Sequence, residues 1–393
     1  MVKKLYNDFM NDINRLGSYP FERLRQLLEG IPSKHQSFDL TIGEPKVAPP
    51  IFVAQTIAKH DQDWNRYPPI SGITALKDTI KDWLYRRFLL SSCTAEFGVD
   101  PTCGSREGLF LLAMLTRFRA KRSRNLIAMP NPGYAVYGGS ARIAGAETLA
   151  LDTVEGRFPK PEMLAVTDLE GLRLVYLCSP DNPSGNILPE STVHAWILAA
   201  RKYDFIVASD ECYSELYADT PPQGVLNIAA KTGSFDQVVC LNSLSKRSSC
   251  AGLRSGFLAG DPKIIAMIRQ IKSYAGNRMP LALQQTSIVL WQDESHVATI
   301  RQHYQNNYAL VQKLFGDLEE FTPIHGGMFL WLSVQDDLEA AKHFWREGGL
   351  RVLPGRYLCE PSQIEPGKKR VRVALVHDHQ TLAPCLEVLR RLV

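Results

Sequence analysis

The sequence predicts an α/β protein: a large domain with a mostly parallel sheet sandwiched by helices, plus a smaller α+β domain formed from both chain ends. Three observations lead there. The 393 residues exceed what one simple core accommodates. Between about residue 125 and residue 260, short apolar runs alternate with helical patterns, and continuous apolar runs mark strands covered on both faces. After about Gly276 the pattern turns to long helices and then strands, whereas the first 45 residues carry one short helix and are too few to fold alone. The large domain is therefore expected over 46–280, and the small one over 1–45 and 281–393.

In chain order, the periodicity predicts a helix over Phe21–Glu29, a strand over Asn125–Met129 and a helix over Tyr134–Gly145. A second strand, Leu172–Cys178, precedes a helix over Pro189–Tyr203, and three further strands follow at Phe205–Ser209, Gln237–Asn242 and Ser255–Gly260. Helices over Leu281–Trp291 and Val297–Leu318, a strand at Met328–Ser333, a helix, a strand at Arg370–Leu375 and a closing helix complete the chain.

Bulk properties exclude several functions. Apolar residues make up 45% and charged residues 22%, as in a soluble globular protein, and the net charge of +4 is small. The densest basic run, Arg117, Arg119, Lys121, Arg122 and Arg124, suits a helix end, where cations meet carbonyl groups, so no nucleic-acid partner is expected. No run of about 18 apolar residues spans a membrane. The opening Met-Val-Lys-Lys-Leu-Tyr-Asn-Asp has no apolar stretch behind it and is not a secretory signal. Eight cysteines without a Cys-x-x-Cys pair read as reduced thiols of a cytoplasmic protein. His377-Asp378-His379 reads as a helix cap, because no third ligand accompanies it, and no metal is expected.

Ligands of open α/β sheets bind beyond the carboxyl ends of the strands. Five places carry polar residues there. Gly104-Ser105-Arg106 opens a helix, which makes either an anion site or an ordinary cap. Asn131-Pro132-Gly133-Tyr134 sets an aromatic ring past a strand, for stacking or for packing. Asp181-Asn182-Pro183-Ser184-Gly185 is a loop constrained by its prolines and glycine. Asp210-Glu211-Cys212-Tyr213 puts a carboxylate at a strand end with a tyrosine three residues on. Ser243-Leu244-Ser245-Lys246-Arg247 flanks a lysine with hydroxyls, and Arg254 follows eight residues later, as an amine nucleophile near a phosphate clamp requires.

Together these motifs resemble the fold-type I, class I/II pyridoxal-phosphate aminotransferases, from about Tyr19 to the C-terminus. Thr41-Ile42-Gly43-Glu44-Pro45, Tyr67-Pro68-Pro69-Ile70-Ser71-Gly72 and Val371-Arg372-Val373-Ala374-Leu375 extend the likeness. Tyr19-Pro20-Phe21-Glu22-Arg23, Gly104-Ser105-Arg106-Glu107 and Glu211-Cys212-Tyr213-Ser214-Glu215 look more narrowly like the bacterial succinyldiaminopimelate aminotransferases of lysine biosynthesis. Ser184 departs from the threonine usual in the wider family but keeps the hydroxyl.

The resemblance implies pyridoxal 5'-phosphate as cofactor and a role for each matching residue. Lys246 would form the internal aldimine and later move the α-proton, with a pKa lowered by like charge and desolvation. Asp210 would bond the pyridine nitrogen, and Tyr213 with Asn182 the ring oxygen. Tyr134 would stack on the ring. Ser105, Arg106, Ser243, Ser245 and Arg254 would bind the phosphate. Arg372, costly in an apolar strand unless paired, would clamp the substrate α-carboxylate, with Gly43 leaving room beside it. Tyr67 would reach the phosphate of a neighbouring subunit in a homodimer. The amino donor would be N-succinyl-LL-2,6-diaminopimelate and the acceptor 2-oxoglutarate, with Lys46 and Arg278 as candidates for distal acidic groups. Other readings stay open: an aspartate, alanine or aromatic aminotransferase, a β-C–S lyase, or a non-catalytic regulator. For the last, the 18 residues before Tyr19 are too few for a helix-turn-helix module.

Overall fold

The structure, a computed structural model, describes residues 16–90, 93–118, 125–153 and 157–393. A seven-stranded sheet forms its centre, in the order β2 (Gly98–Thr102), β8 (Gly256–Gly260), β7 (Val238–Ser243), β6 (Ile206–Asp210), β5 (Leu172–Cys178), β3 (Leu126–Asn131) and β4 (Glu147–Asp152). From β7 to β4 every pairing is parallel, whereas β8 runs antiparallel to both β7 and β2.

Side chains alternate between two apolar layers with the period of two that a strand dictates. Along β5, Val175 and Leu177 enter a core with Trp83, Trp196 and Trp291, while Leu174 and Tyr176 enter a second layer with Leu109, Tyr137 and Ile265. Helices thus cover both faces, which is why the central strands read as unbroken apolar runs. The two strands without a sequence signal, β2 and β4, are the two edges of the sheet. Pro101 in β2 cannot donate to a ladder and is tolerated at an edge. The buried Asp100 beside it is neutralised by Lys272 at 2.6 Å and Arg269 at 3.0 Å. Most of β4 is only half-buried, so its alternation is weak.

A third core joins the C-terminal strands to the start of the chain. An antiparallel sheet of β9 (Phe329–Ser333), β12 (Arg370–Ala374) and β11 (Leu353–Pro354) packs with Leu40, Ile300 and Tyr304, and β1 (Phe38–Asp39) pairs in parallel with β10 (Leu350–Arg351). The first described helix, α1 (Pro20–Leu28), sets Leu24 against Leu353, Tyr357 and Leu358. Leu290 and Trp291, near the end of the helix Leu281–Gln292, pack in the Trp83 core, whereas Ile300 and Tyr304 of the next helix, Ser295–Phe315, pack in the C-terminal one. The chain therefore passes between cores at 293–296.

Smaller expectations resolve in the same structure. Asp378 caps the closing helix His379–Leu392 by accepting from the Thr381 amide, and the His377 ring packs on Phe38. Arg117 lies in a single turn after the helix Ser105–Leu115 and donates to the carbonyl of Ala144, at the end of a neighbouring helix. Arg119, Lys121, Arg122, Arg124 and the opening eight residues lie outside the described residues. All eight cysteines are free thiols. Among the described residues, no helix is long and apolar enough to cross a membrane.

Candidate active site

Strands β2, β3, β5, β6 and β7 point the same way, so their carboxyl ends share one edge of the sheet. All five polar places follow directly from them. The Gly104-Ser105 turn belongs with the others because β2, unseen in the sequence, leads into it. Asp210 and Ser243 are the last residues of their strands rather than the first beyond, since pairing continues through Cys178↔Asp210 and Ser243↔Gly256. The reversal of β8 explains Arg254. Gly256 pairs with both Thr102 and Ser243, so the residues just before this antiparallel strand arrive at the edge where the parallel strands end.

A cavity of about 350 Å³ opens at that edge. Gly43, Ser105, Arg106, Tyr134, Asn182, Asp210, Tyr213, Ser243, Ser245, Lys246, Arg254 and Arg372 all line it. Tyr67 does not; it is 93% exposed. Of the two distal candidates, Lys46 is paired with Glu44 at 2.8 Å, and Arg278 lines an adjoining cavity of about 950 Å³.

The lysine stands in a four-residue helix, Leu244–Arg247, whose start is fixed by Ser243. The Ser243 hydroxyl accepts from the Ser245 amide at 3.1 Å and donates to the Ser255 carbonyl at 2.8 Å, so its oxygen is committed to holding this helix. Lys246 Nζ donates to the Gly43 carbonyl. Burial is the main cause that lowers its pKa to about 8, with the Arg372 and Arg254 cations pushing the same way. Gly43 leaves no room for a side chain, because a Cβ there would run into the buried Phe329 ring.

Asp210 is 3% exposed and is held by the Tyr137 hydroxyl at 3.1 Å and the Cys212 amide at 3.3 Å. Burial raises its pKa against those bonds and against the Lys246 cation. A cationic N–H partner in the cavity would restore the anion. Also lining the cavity, Arg372 is 4% exposed with its guanidinium 4.0 Å from the Phe329 ring centre. It donates to Asn182 Oδ1 at 2.9 Å and to the Thr41 carbonyl at 2.8 Å, both neutral, and its Nε has no partner. Burial lowers its pKa to about 10, which leaves it cationic at neutral pH.

Two groups lining the cavity form an anion cradle. The helix Ser105–Leu115 presents its free amides at Ser105, and Gly104 before it has φ +87°. A Cβ on Gly104 would strike Arg254 Nη2 at 2.5 Å, so only glycine lets that guanidinium lie against the turn. Arg254 is oriented by the Cys103 carbonyl at 3.0 Å and the Ala251 carbonyl at 2.9 Å. Arg106 turns aside to hold the Tyr134 hydroxyl at 2.8 Å. The cavity thus offers an amine, a buried carboxylate, an anion cradle and a second, uncompensated guanidinium. That set fits a planar cation bearing a phosphate, next to a carboxylate.

Sequence reasoning missed Tyr137. It lies three residues after Tyr134 on the helix Ala135–Ile143, stacks on Tyr176 at 4.8 Å and aims its hydroxyl at Asp210. The spacing from Tyr134 was the available signal. Cys178, Cys212 and Phe329 also line the cavity and, as apolar-looking residues, gave none.

The family model described as aminotransferase class I and II matches residues 36–389. The chain is 30% identical to the 4-dedimethylamino-4-oxo-anhydrotetracycline transaminase OxyQ of Streptomyces rimosus, over 88% of this chain and 90% of that one. It is 26% identical to an LL-diaminopimelate aminotransferase of Halothermothrix orenii, over 96% and 97% of the two chains. A solved aminotransferase structure from Neisseria meningitidis superposes with a TM-score of 0.91 at 33% identity, covering 97% of this chain and 99% of that one.

Proposed function

The chain belongs to the class I and II aminotransferases, and from that premise we propose that Lys246 is the amine on which its transfer chemistry turns. The enzyme uses pyridoxal phosphate and acts on small amino donors and 2-oxo acids. When bound, the cofactor supplies an aldehyde for amine capture and an electron-withdrawing ring. The observation that carries the reading is a single cavity holding the Lys246 amine, its pKa brought down to about 8, together with Asp210, Arg254 and Arg372.

In this reading the Ser105 amide end, Ser245 and Arg254 grip the phosphate. Asp210, oriented by Tyr137 and the Cys212 amide, holds the proton on the ring nitrogen. Asn182 and Tyr213 bind the ring oxygen, and Tyr134, steadied by Arg106, lies on the ring face. Arg372 clamps the α-carboxylate of the donor, and Lys246 moves the proton at its Cα. Tyr67, turned outward to solvent, serves the phosphate of a second copy in a homodimer. Eight free thiols suit a reducing compartment, the cytoplasm.

For the donor we favour N-succinyl-LL-2,6-diaminopimelate, with 2-oxoglutarate as acceptor. Support comes from the likeness to an LL-diaminopimelate aminotransferase and from Arg23 and Arg278, which line the adjoining cavity and suit a donor with further acidic groups. A panel of amino donors with 2-oxoglutarate tests this: the highest kcat/KM falls on the succinylated diamino diacid. A preference for aspartate, alanine or aromatic donors, or pyruvate release from a cystathionine-like compound, would replace the substrate assignment. Lys246→Ala abolishes both turnover and the lysine-linked visible absorbance; a variant that retains them removes Lys246 from this role.

A further inference from the structure

The residue that follows the lysine helix sits in a hydrogen-bonded chain that the chemistry above leaves unused. Ser248 has no exposed surface. His296 Nε2 lies 2.8 Å from its hydroxyl, and His296 Nδ1 lies 2.5 Å from Asp293 Oδ1. Arg247 Nη1 donates to the same hydroxyl at 3.3 Å. The order serine, histidine, aspartate is that of a hydrolase, yet no substrate can reach a serine oxygen so enclosed.

The partners fix the protons. An ionised Asp293 can only accept, so Nδ1 carries the hydrogen and Nε2 is the acceptor; Ser248 donates to it while accepting from Arg247. A protonated ring would put two cationic donors on one hydroxyl. The charged groups around the imidazole are Asp293, Glu294 and Arg247, and the edge of the Phe52 ring closes it off at 5.9 Å. Burial holds its proton affinity below the ordinary histidine value, against the Asp293 hydrogen bond.

Position gives this chain its significance. Asp293 and His296 stand where the chain passes from the Trp83 core to the C-terminal core. Arg247 adds bonds to the same joint, to the Leu290 carbonyl at 2.7 Å, the Asp293 carbonyl at 3.3 Å and Glu294 at 2.6 Å. On the other side, the Ser249 hydroxyl bonds the Val47 carbonyl, in the segment whose Gly43 carbonyl takes the lysine.

We propose that neutral His296 is a positioning residue for Lys246: through Ser248 it locks the lysine helix to the joint between the cores and keeps the amine in register with Arg372. This rests on Lys246 being the reactive amine. A misplacement of about 1 Å in such a site costs about 100-fold in rate, so one bond at the base of a four-residue helix is enough to matter.

The test compares Ser248→Ala, His296→Leu and His296→Gln holoenzymes, with Lys246 intact in each. Three quantities are measured: kcat, the pH titration of the cofactor's visible absorbance, and Tm. Ser248→Ala removes one oxygen and keeps the fold within reach. Both Ser248→Ala and His296→Leu lower kcat about 10-fold and move the absorbance midpoint, and the double variant is no worse than either. His296→Gln, whose amide oxygen can accept from Ser248, recovers to within about twofold. A fall in Tm with kcat and midpoint unchanged, or a glutamine variant as impaired as the leucine one, would reduce the chain to a strut and overturn the proposal. A wild-type protein without lysine-linked absorbance would sink the reading of Lys246 and this inference with it.

Discussion

Arg247 and Arg372 are both buried and both lie against aromatic rings, yet they sit in opposite kinds of surroundings. Arg247 is wedged near Trp83 and Trp291, its guanidinium 5.6 and 4.9 Å from the ring centres, and pairs with Glu294. Arg372 lies over Phe329, bonds only neutral oxygens, and has no carboxylate within ion-pair distance among the described residues. Each leaves its Nε without a partner, so orphaned nitrogen alone does not separate them. The missing counterion does. Removing a guanidinium from water is costly, and a fold that leaves one uncompensated beside a cavity is arranged for an anion that arrives from outside.

The largest test of this contrast is Arg372→Ala. Turnover of α-carboxylate donors falls about 1000-fold in kcat/KM, while cofactor affinity changes less than about threefold and Tm does not drop. Equal losses of cofactor and substrate binding would erase the distinction. Next comes Arg247→Met, which keeps much of the volume but strips donors from two buried carbonyls; urea unfolding is expected to show a loss of about 3 kcal/mol. A variant as stable as its parent would put Arg247 in the same class as Arg372.

A third buried cation sharpens the comparison through pH. Lys246 has a folded pKa of about 8 against an ordinary value of 10.5. The unfolded chain therefore binds more protons between those values, and stability climbs as pH rises through that window, the penalty being fully present below it. In cofactor-free protein, Lys246→Met is expected to gain about 2 kcal/mol at pH 7, less than the full shift because the amine borders an open cavity, and to lose the advantage by about pH 10.5. An advantage that persists at high pH would assign it to packing instead.

How much of this was legible in the sequence follows from which properties are local. Lys246, Asp210 and Arg372 stood out because a charge at the end of, or within, an apolar run is anomalous wherever the strand ends up. The central strands were readable because both faces are covered; β2 and β4 were not, since an edge strand carries a proline or a half-exposed face without penalty. Arg254 was placed near a phosphate by its spacing from Lys246 and by resemblance, but the reason it reaches that edge, the reversal of β8, is a property of pairing between distant segments. The domain boundary expected at residue 281 cuts before a helix whose Leu290 and Trp291 pack with Trp83; an apolar helix does not announce which core it joins. His296 gave no signal, because its partner Ser248 is 48 positions away.

Gly256 is paired to Thr102 on one side and to Ser243 on the other. The Gly104-Ser105 turn follows Thr102, the lysine helix follows Ser243, and Arg254 precedes Gly256 itself. One rung of the ladder thus ties together three parts that the chain supplies from far-apart stretches. Stripping β8 from its neighbours would dismantle all three together, so on heating the holoenzyme's visible absorbance and the circular-dichroism signal of the sheet are expected to fall in one transition.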